Sequence, residues 1–273
     1  LDSFSSFHPE ISNLAELFFK NNWIDASLRK GKASGAFAHP SVPSLHPYIL
    51  VNYQGKIRDV MTLAHELGHG VHQILAGKNG LLMAETPLTL AETASVFGEM
   101  LVFRKLLDES SIAQKKQLLS GKIEDMLNTV ARQIGFHQFE VKFHEARIKS
   151  ELTPEEISNI WMETQSHAVG PHINLDDDYR CLWGYIPHFV HSPFYVYAYA
   201  FGDSLVNALW YAYQQSDKDI FSNKYIEMLS SGGTKTHNDL LKPFNLSAYD
   251  NSFWEKGITM ITGLMDELDD LDN

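Results

Sequence analysis

Apolar residues return every three or four positions along most of this chain. Such stretches cover Arg58–Ala76, Leu88–Leu107, Ile112–Lys149, Glu155–Val169, Val196–Gln215, Ile220–Ser231 and Asn251–Leu268. That spacing predicts helices with one buried face. A shorter helical stretch spans Leu14–Phe19, and a loop rich in Gly, Ser and Pro follows from Gly31 to Pro47. Thr153-Pro154-Glu155-Glu156 marks a helix start, with Thr as the cap and Pro at the first helical position. The best strand candidate is Tyr48–Tyr53, bounded by Pro47 and Gln54-Gly55. The acidic run Asp266–Asp272 opposes the dipole of a helix C-terminus and predicts a solvated, fraying end. No internal repeat and no long Pro/Gly/Ser linker divides the chain. The pattern predicts a mainly α fold with one short β element, residues 1–273 acting as one domain.

Composition narrows the function. The 273 residues are 44% hydrophobic and 12% aromatic, enough for a sizeable core. The net charge is −12, and the adjacent basic pairs are only Arg29-Lys30, Arg104-Lys105 and Lys115-Lys116. Nucleic-acid affinity rests on clustered cations, so a nucleic-acid partner is not expected. No apolar run approaches the roughly 20 residues that span a bilayer, so neither is a membrane. The single cysteine, Cys181, cannot form an internal disulfide, which fits a cytoplasmic location. It reads as a small buried hydrophobe rather than a nucleophile. The chain opens at Leu1 without a leader-like segment, as expected of an excised domain. Oligomeric state is not legible.

One segment carries chemistry. His65-Glu66-Leu67-Gly68-His69 is H-E-x-x-H within a predicted helix. Residues four apart share a helix face, so the two imidazoles can converge on one ion. Leu63, Leu67, Val71, Ile74 and Leu75 fall on the opposite side and predict the packed face. Glu66 is offset from the ligand pair by one residue, where a general base for zinc-bound water belongs. Gly68 and Gly70 each cost about 1 kcal/mol relative to Ala inside a helix. That cost is expected where another backbone, helix or substrate approaches closely. A catalytic zinc normally takes a third protein ligand. Glu85, Glu92 and Glu99 are the nearby carboxylates. Thr86-Pro87 predicts a helix start that leaves Glu85 outside. A helix laid against the zinc helix offers Glu92 to the metal, with Glu99 farther along to orient a ligand.

Lys32–Phe37, His46–Gly55, Thr62–His69, Leu90–Glu99, Trp183–His188, Phe194–Tyr199 and Leu229–Gly233 follow in order along nearly the whole chain. Together they resemble the oligoendopeptidase F family of thimet-like zinc oligopeptidases. The resemblance implies a zincin-like helical catalytic domain binding one Zn²⁺ through His65, His69 and Glu92. It also implies that this is the C-terminal catalytic half of a longer enzyme, whose N-terminal helical lobe closes the substrate channel.

His188, His191, Tyr195, Tyr197 and Tyr199 crowd polar-tipped rings into twelve residues, with Pro187 and Pro193 fixing the turns. Such groups can donate to the oxyanion of a tetrahedral intermediate, or can simply pack with their tips satisfied. By the resemblance, His188, Tyr195 and Tyr197 contact substrate and transition state. Val190 and Ala198 stand where relatives often carry Tyr and Gln. Other histidines promise less: His72 leans toward the metal face and could donate to a ligand there, but reads rather as a helix-surface residue, and His137, Glu140 and His144 read as satisfied core or surface groups rather than a second metal site.

The expected function is zinc-dependent hydrolysis of internal peptide bonds in short peptides, with Glu66 activating the water. Tyr48–Tyr53 is expected to offer a free strand edge to an extended peptide. Two rivals remain: a zinc carboxypeptidase-type exopeptidase, and a non-catalytic zinc- or peptide-binding protein. The first needs a cation for the terminal carboxylate, and the position of Glu66 speaks against the second.

Overall fold

The computed structural model describes residues 1–271 and is mainly helical, with a small sheet near the start. It divides into two compact units, Leu1–Ser120 with Ser204–Asn273, and Gly121–Asp203.

The first unit opens with α1 (Asp2–Phe7) and α2 (Pro9–Lys20). The predicted Leu14–Phe19 helix therefore starts earlier, with Pro9 in its first turn and the His8 ring accepting from the Glu10 N–H. Next come β1 (Ile24–Asp25), β2 (Phe37–His39) and β3 (Tyr48–Leu50). Among the described residues they form a sheet in the order β1-β3-β2, parallel on the first side and antiparallel on the second. The predicted strand is thus only three residues long and central. Both its edges are occupied, which overturns the expectation that it offers a free edge. Lys32 fastens this sheet: its side chain is 2% exposed and its ammonium donates to the carbonyls of Asp25, Ser27 and Val51 at 2.7–3.0 Å.

Helix α3 (Ile57–Gly77) follows, then a short α4 (Leu88–Ala91) and α5 (Thr93–Glu109). The single helix predicted for Leu88–Leu107 breaks at Glu92 (φ −82°, ψ −1°). There Ser95 Oγ donates to the Glu92 carbonyl, and Tyr225 Oη donates to that of Thr93. Side-chain bonds of this kind compete with the regular ladder. On α3, Leu67, Val71 and Leu75 are buried as predicted, whereas Leu63 and Ile74 are half-buried. The aromatic core joins Phe7, Phe97 and Tyr225, with ring centroids 4.5–5.4 Å apart.

Helix α6 (Ile112–Leu127) continues through a π-helical turn, Asn128–Arg132, into α7 (Gln133–Lys149). The long predicted helix is thus one helical course with a widened turn. In the second unit α7 packs on α8 (Pro154–Val169). Their approach is close at Gly135, where a Cβ would stand 2.7 Å from that of Ala168. Thr153 caps α8 by accepting from the Glu156 N–H, and the Glu156 carboxylate accepts from the Thr153 N–H. Phe136, Phe139, Trp161, Ile186 and Val196 form this unit's core. A 3-10 segment, Asp177–Tyr185, packs Tyr179 and Trp183 against that core. Cys181, on the same segment, is exposed rather than buried, because those two aromatics supply its packing side. The unit also holds α9 (His188–His191) and the start of α10 (Tyr197–Gln215).

The first unit closes with α11 (Lys218–Ser230), α12 (His237–Leu241) and α13 (Asn251–Asp270). α13 stays helical through Asp270, so the expected fraying does not begin at Asp266; Asp272 lies outside the described residues. No helix among the described residues is long and apolar enough to cross a membrane.

Candidate metal centre

The site is built where α3 meets α5. A Cβ on Gly68 would run into the Ala94 carbonyl and stand 2.7 Å from Ser95 Cα; one on Gly98 would stand 3.3 Å from the Ala64 carbonyl. Small residues on both helices therefore let their backbones approach closely. The first turn of α5 lies across the ligand face of α3, with Glu92 just ahead of it. Gly70 has a different duty, since a Cβ there would strike the Phe18 ring.

His65, His69 and Glu92 each bring a ligand atom within 4.8 Å of the others. Both imidazole Nε2 atoms face Glu92 Oε2, at 3.3 Å from His65 and 3.4 Å from His69. Ligands about 2.0–2.1 Å from a tetrahedral ion stand about 3.3–3.4 Å from one another, so this donor set suits zinc. Glu99 Oε2 lies 3.4 Å from His65 Nδ1. A proton held there leaves Nε2 as the lone-pair donor. Ser95, which the sequence reading passed over, donates to Glu92 Oε2 at 2.8 Å. Its position three residues after Glu92 was the available signal.

The electrostatics favour a bound cation. Burial lowers the pKa of His65, but its hydrogen bonds to the Glu92 and Glu99 carboxylates overcome this and raise it to about 10. Burial likewise raises the Glu92 carboxyl, and the two imidazoles outweigh it to hold the group well below the usual range. With two carboxylates around His65, the cluster holds either a proton or a metal ion. Glu66 is 6% exposed, and its Oε2 is buried without a hydrogen-bond partner. Burial pushes its pKa up, against the pull of His65, His69 and the Ala38 N–H, while the Glu92 charge adds to the rise.

His72 is buried rather than on the surface, and its Nε2 lies 3.3 Å from Thr86 Oγ1. Leu90, Met228 and Leu229 enclose it with Thr86. Burial, with the charge of His69, lowers its pKa to about 4, so the ring is neutral near pH 7.

In the second unit the structure brings together His188, Tyr195 and Tyr199. His188 Nε2 and the Tyr199 hydroxyl are 3.2 Å apart, and the Tyr195 ring lies 5.3 Å from that of Tyr199 and 5.9 Å from that of His188. Tyr197 packs instead against His137, at 5.6 Å. Two residues along a helix point to nearly opposite sides, so Tyr197 and Tyr199 separate. Glu140, 1% exposed on α7, accepts from the Phe194 N–H at 2.7 Å. Phe194 has φ +60°, an uncommon setting for a bulky residue. The ring of His144 lies 4.8 Å from that of Phe194. Glu140 thus anchors the turn that leads into Tyr195, a role the sequence gave no sign of.

Comparison with known proteins agrees with this architecture. The family model for peptidase family M3 matches residues 4–260, and this chain belongs to that family. It is 36% identical over 228 residues to an oligoendopeptidase F homolog of Borreliella burgdorferi, a match covering 81% of this chain and 38% of that protein. Oligopeptidase PepF of Bacillus subtilis is 29% identical, over 96% of this chain and 39% of its own length. A candidate peptidase from Chlamydophila abortus has a crystal structure that superposes with TM-score 0.82 at 30% identity, covering 99% of this chain and 46% of that one. The chain therefore spans less than half the length of these relatives, over their C-terminal part.

Proposed function

We propose that this chain carries the catalytic zinc site of an oligoendopeptidase that hydrolyses internal bonds of short peptides. The observation that carries the reading is the convergence of His65 Nε2, His69 Nε2 and Glu92 Oε2, with buried Glu66 alongside. Its relatives named as oligoendopeptidases support the substrate class. In this reading His65, His69 and Glu92 hold one Zn²⁺, while Glu99 and Ser95 orient His65 and Glu92. When bound, the ion would act as a Lewis acid toward water and the scissile carbonyl. Glu66 takes the proton of the attacking water through its unpartnered oxygen and returns it to the leaving amine. A phenol or imidazole from His188, Tyr195 or Tyr197 donates to the developing oxyanion, as the family resemblance implies. The reaction is at home in the cytoplasm, where short unstructured peptides are the substrates.

The test is cleavage of a peptide blocked at both ends, with and without a chelator. Internal cleavage that chelation abolishes and Zn²⁺ restores is expected. Cleavage only of peptides with a free C-terminus would move the assignment to an exopeptidase. Zinc binding without cleavage of any peptide would make the protein a non-catalytic binder.

A further inference from the structure

The metal-site chemistry leaves one buried histidine unused. His72 stands three residues after His69 on α3, so its ring leaves the same side of the helix about one turn farther on. Its exposure is 5%. Burying an imidazole without a polar partner costs free energy. The partner it meets is Thr86, whose Oγ1 lies 3.3 Å from His72 Nε2. Thr86 stands two residues ahead of α4, the short helix that ends at the Glu92 break. The His72 ring also shares a small cavity with Leu90 and Thr93, two residues before Glu92 and one after it. His72 therefore borders the chain on both sides of Glu92.

The same stretch is held from another side by α11 and the turn after it. The Gly233 N–H donates to the Met83 carbonyl at 2.9 Å, and a Cβ on Gly233 would stand 2.7 Å from the Glu85 carbonyl oxygen. Tyr225 Oη donates to the Thr93 carbonyl at 2.9 Å. Those contacts tie the stretch to α11. The His72–Thr86 pair ties it to α3, the helix that carries His65 and His69.

We propose that His72 is a positioning residue for the metal centre: through Thr86 it sets the distance from α3 to the α4–α5 break, and so holds Glu92 Oε2 where both imidazoles meet it. The proposal rests on the metal-site reading above. Glu92 stands at a break, so the geometry of a regular helix does not fix its reach. A hydrogen bond suits this duty because it weakens steeply with distance and angle. Apolar packing of about the same volume can shift and still be satisfied.

The test compares His72→Leu, His72→Gln and Thr86→Val in the full chain. Leu fills the space without a polar atom. The Gln amide reaches toward the place of Nε2 and can bond the Thr86 hydroxyl as donor or as acceptor. Zinc affinity of the metal-free protein, read by competition with a chromophoric chelator, should fall about tenfold or more in His72→Leu and in Thr86→Val. His72→Gln should recover most of that loss. The double variant His72→Leu/Thr86→Val should bind no worse than the weaker single variant, because the two residues share one bond. Leu107→Ala, at the buried far end of α5, should lower the melting temperature and leave zinc affinity at the parental value. Affinity within about twofold of the parent in Thr86→Val, or equal losses in His72→Gln and His72→Leu, would overturn the proposal. A matching loss in Leu107→Ala would overturn it too, because any loosening of α5 would then suffice. If the parent chain binds no zinc, the metal-site reading fails separately, and the seating is read from the backbone. Amide hydrogen exchange over residues 90–95 should then speed up about tenfold in Thr86→Val, with residues 101–107 unchanged. Equal rates in parent and variant would remove the role of His72 as well.

Discussion

The segment Ile57–Glu109, with the candidate metal ligands, and the aromatic segment His188–Tyr199 both hold residues of chemical interest, but they are built on different principles. The first rests on helices of 21 and 17 residues, pressed together through Gly68 and Gly98. His65 and His69 project from regular helix, and Glu92, at the break between α4 and α5, is brought to them by one close contact. The second is assembled from a four-residue helix, a turn with Phe194 at φ +60° and the first residues of α10. Its side chains are aimed by turns, and a buried carboxylate, Glu140, anchors the turn at Phe194. A long helix can carry ligands with little help, whereas a turn needs an outside anchor to hold its residues in place.

The largest effect tests the first region alone. Glu66→Gln keeps shape and volume but cannot take the proton, so kcat should fall by about 10²–10⁴ or more. Zinc content, read by elemental analysis, should stay at one per chain. Near-parental turnover would remove Glu66 from the mechanism. A smaller effect separates the tyrosines of the second region. Losing an oxyanion donor costs about 10²–10³ in kcat, with KM nearly unchanged. Tyr197→Phe and Tyr199→Phe measured side by side show which phenol carries that role. A fall confined to Tyr199→Phe would shift it from Tyr197 to the cluster with His188.

The smallest expected effects compare how the two regions are held. Gly68→Ala raises helix propensity by about 1 kcal/mol. The new methyl meets backbone, which cannot step aside, and overpacking of this kind costs about 1–3 kcal/mol. The variant should melt at lower temperature and release zinc more readily. Glu140→Leu strands the Phe194 N–H and should cost about 1–3 kcal/mol, with zinc content unchanged. Zinc loss in Glu140→Leu, or none in Gly68→Ala, would break the distinction between the two.

Helical class, the i, i+4 histidine pair, the offset of Glu66 and the cap at Thr153 were all legible in the sequence. Each depends on spacing within one element, which sets direction before any packing. Gly68 also announced a close approach, because its conformational cost makes sense only if something fills the space. Glu92 and Glu99 could be named as candidates from their spacing, but their meeting with the histidines, like the rest, belongs to tertiary structure. Glu99 reaches His65 across 34 residues of chain, and Glu92 meets the imidazoles only because α5 crosses α3 at Gly68. The strand at Tyr48 became central when β1 and β2 paired with it. His72 and Cys181 exchanged their expected burial because the neighbours that cover a side chain come from distant segments. Tyr197 and Tyr199, equivalent in a list of residues, parted because a helix begins at Tyr197. A helical start turns residues two apart to opposite faces, and the partners waiting there, His137 for one and His188 for the other, are supplied only by the folded chain.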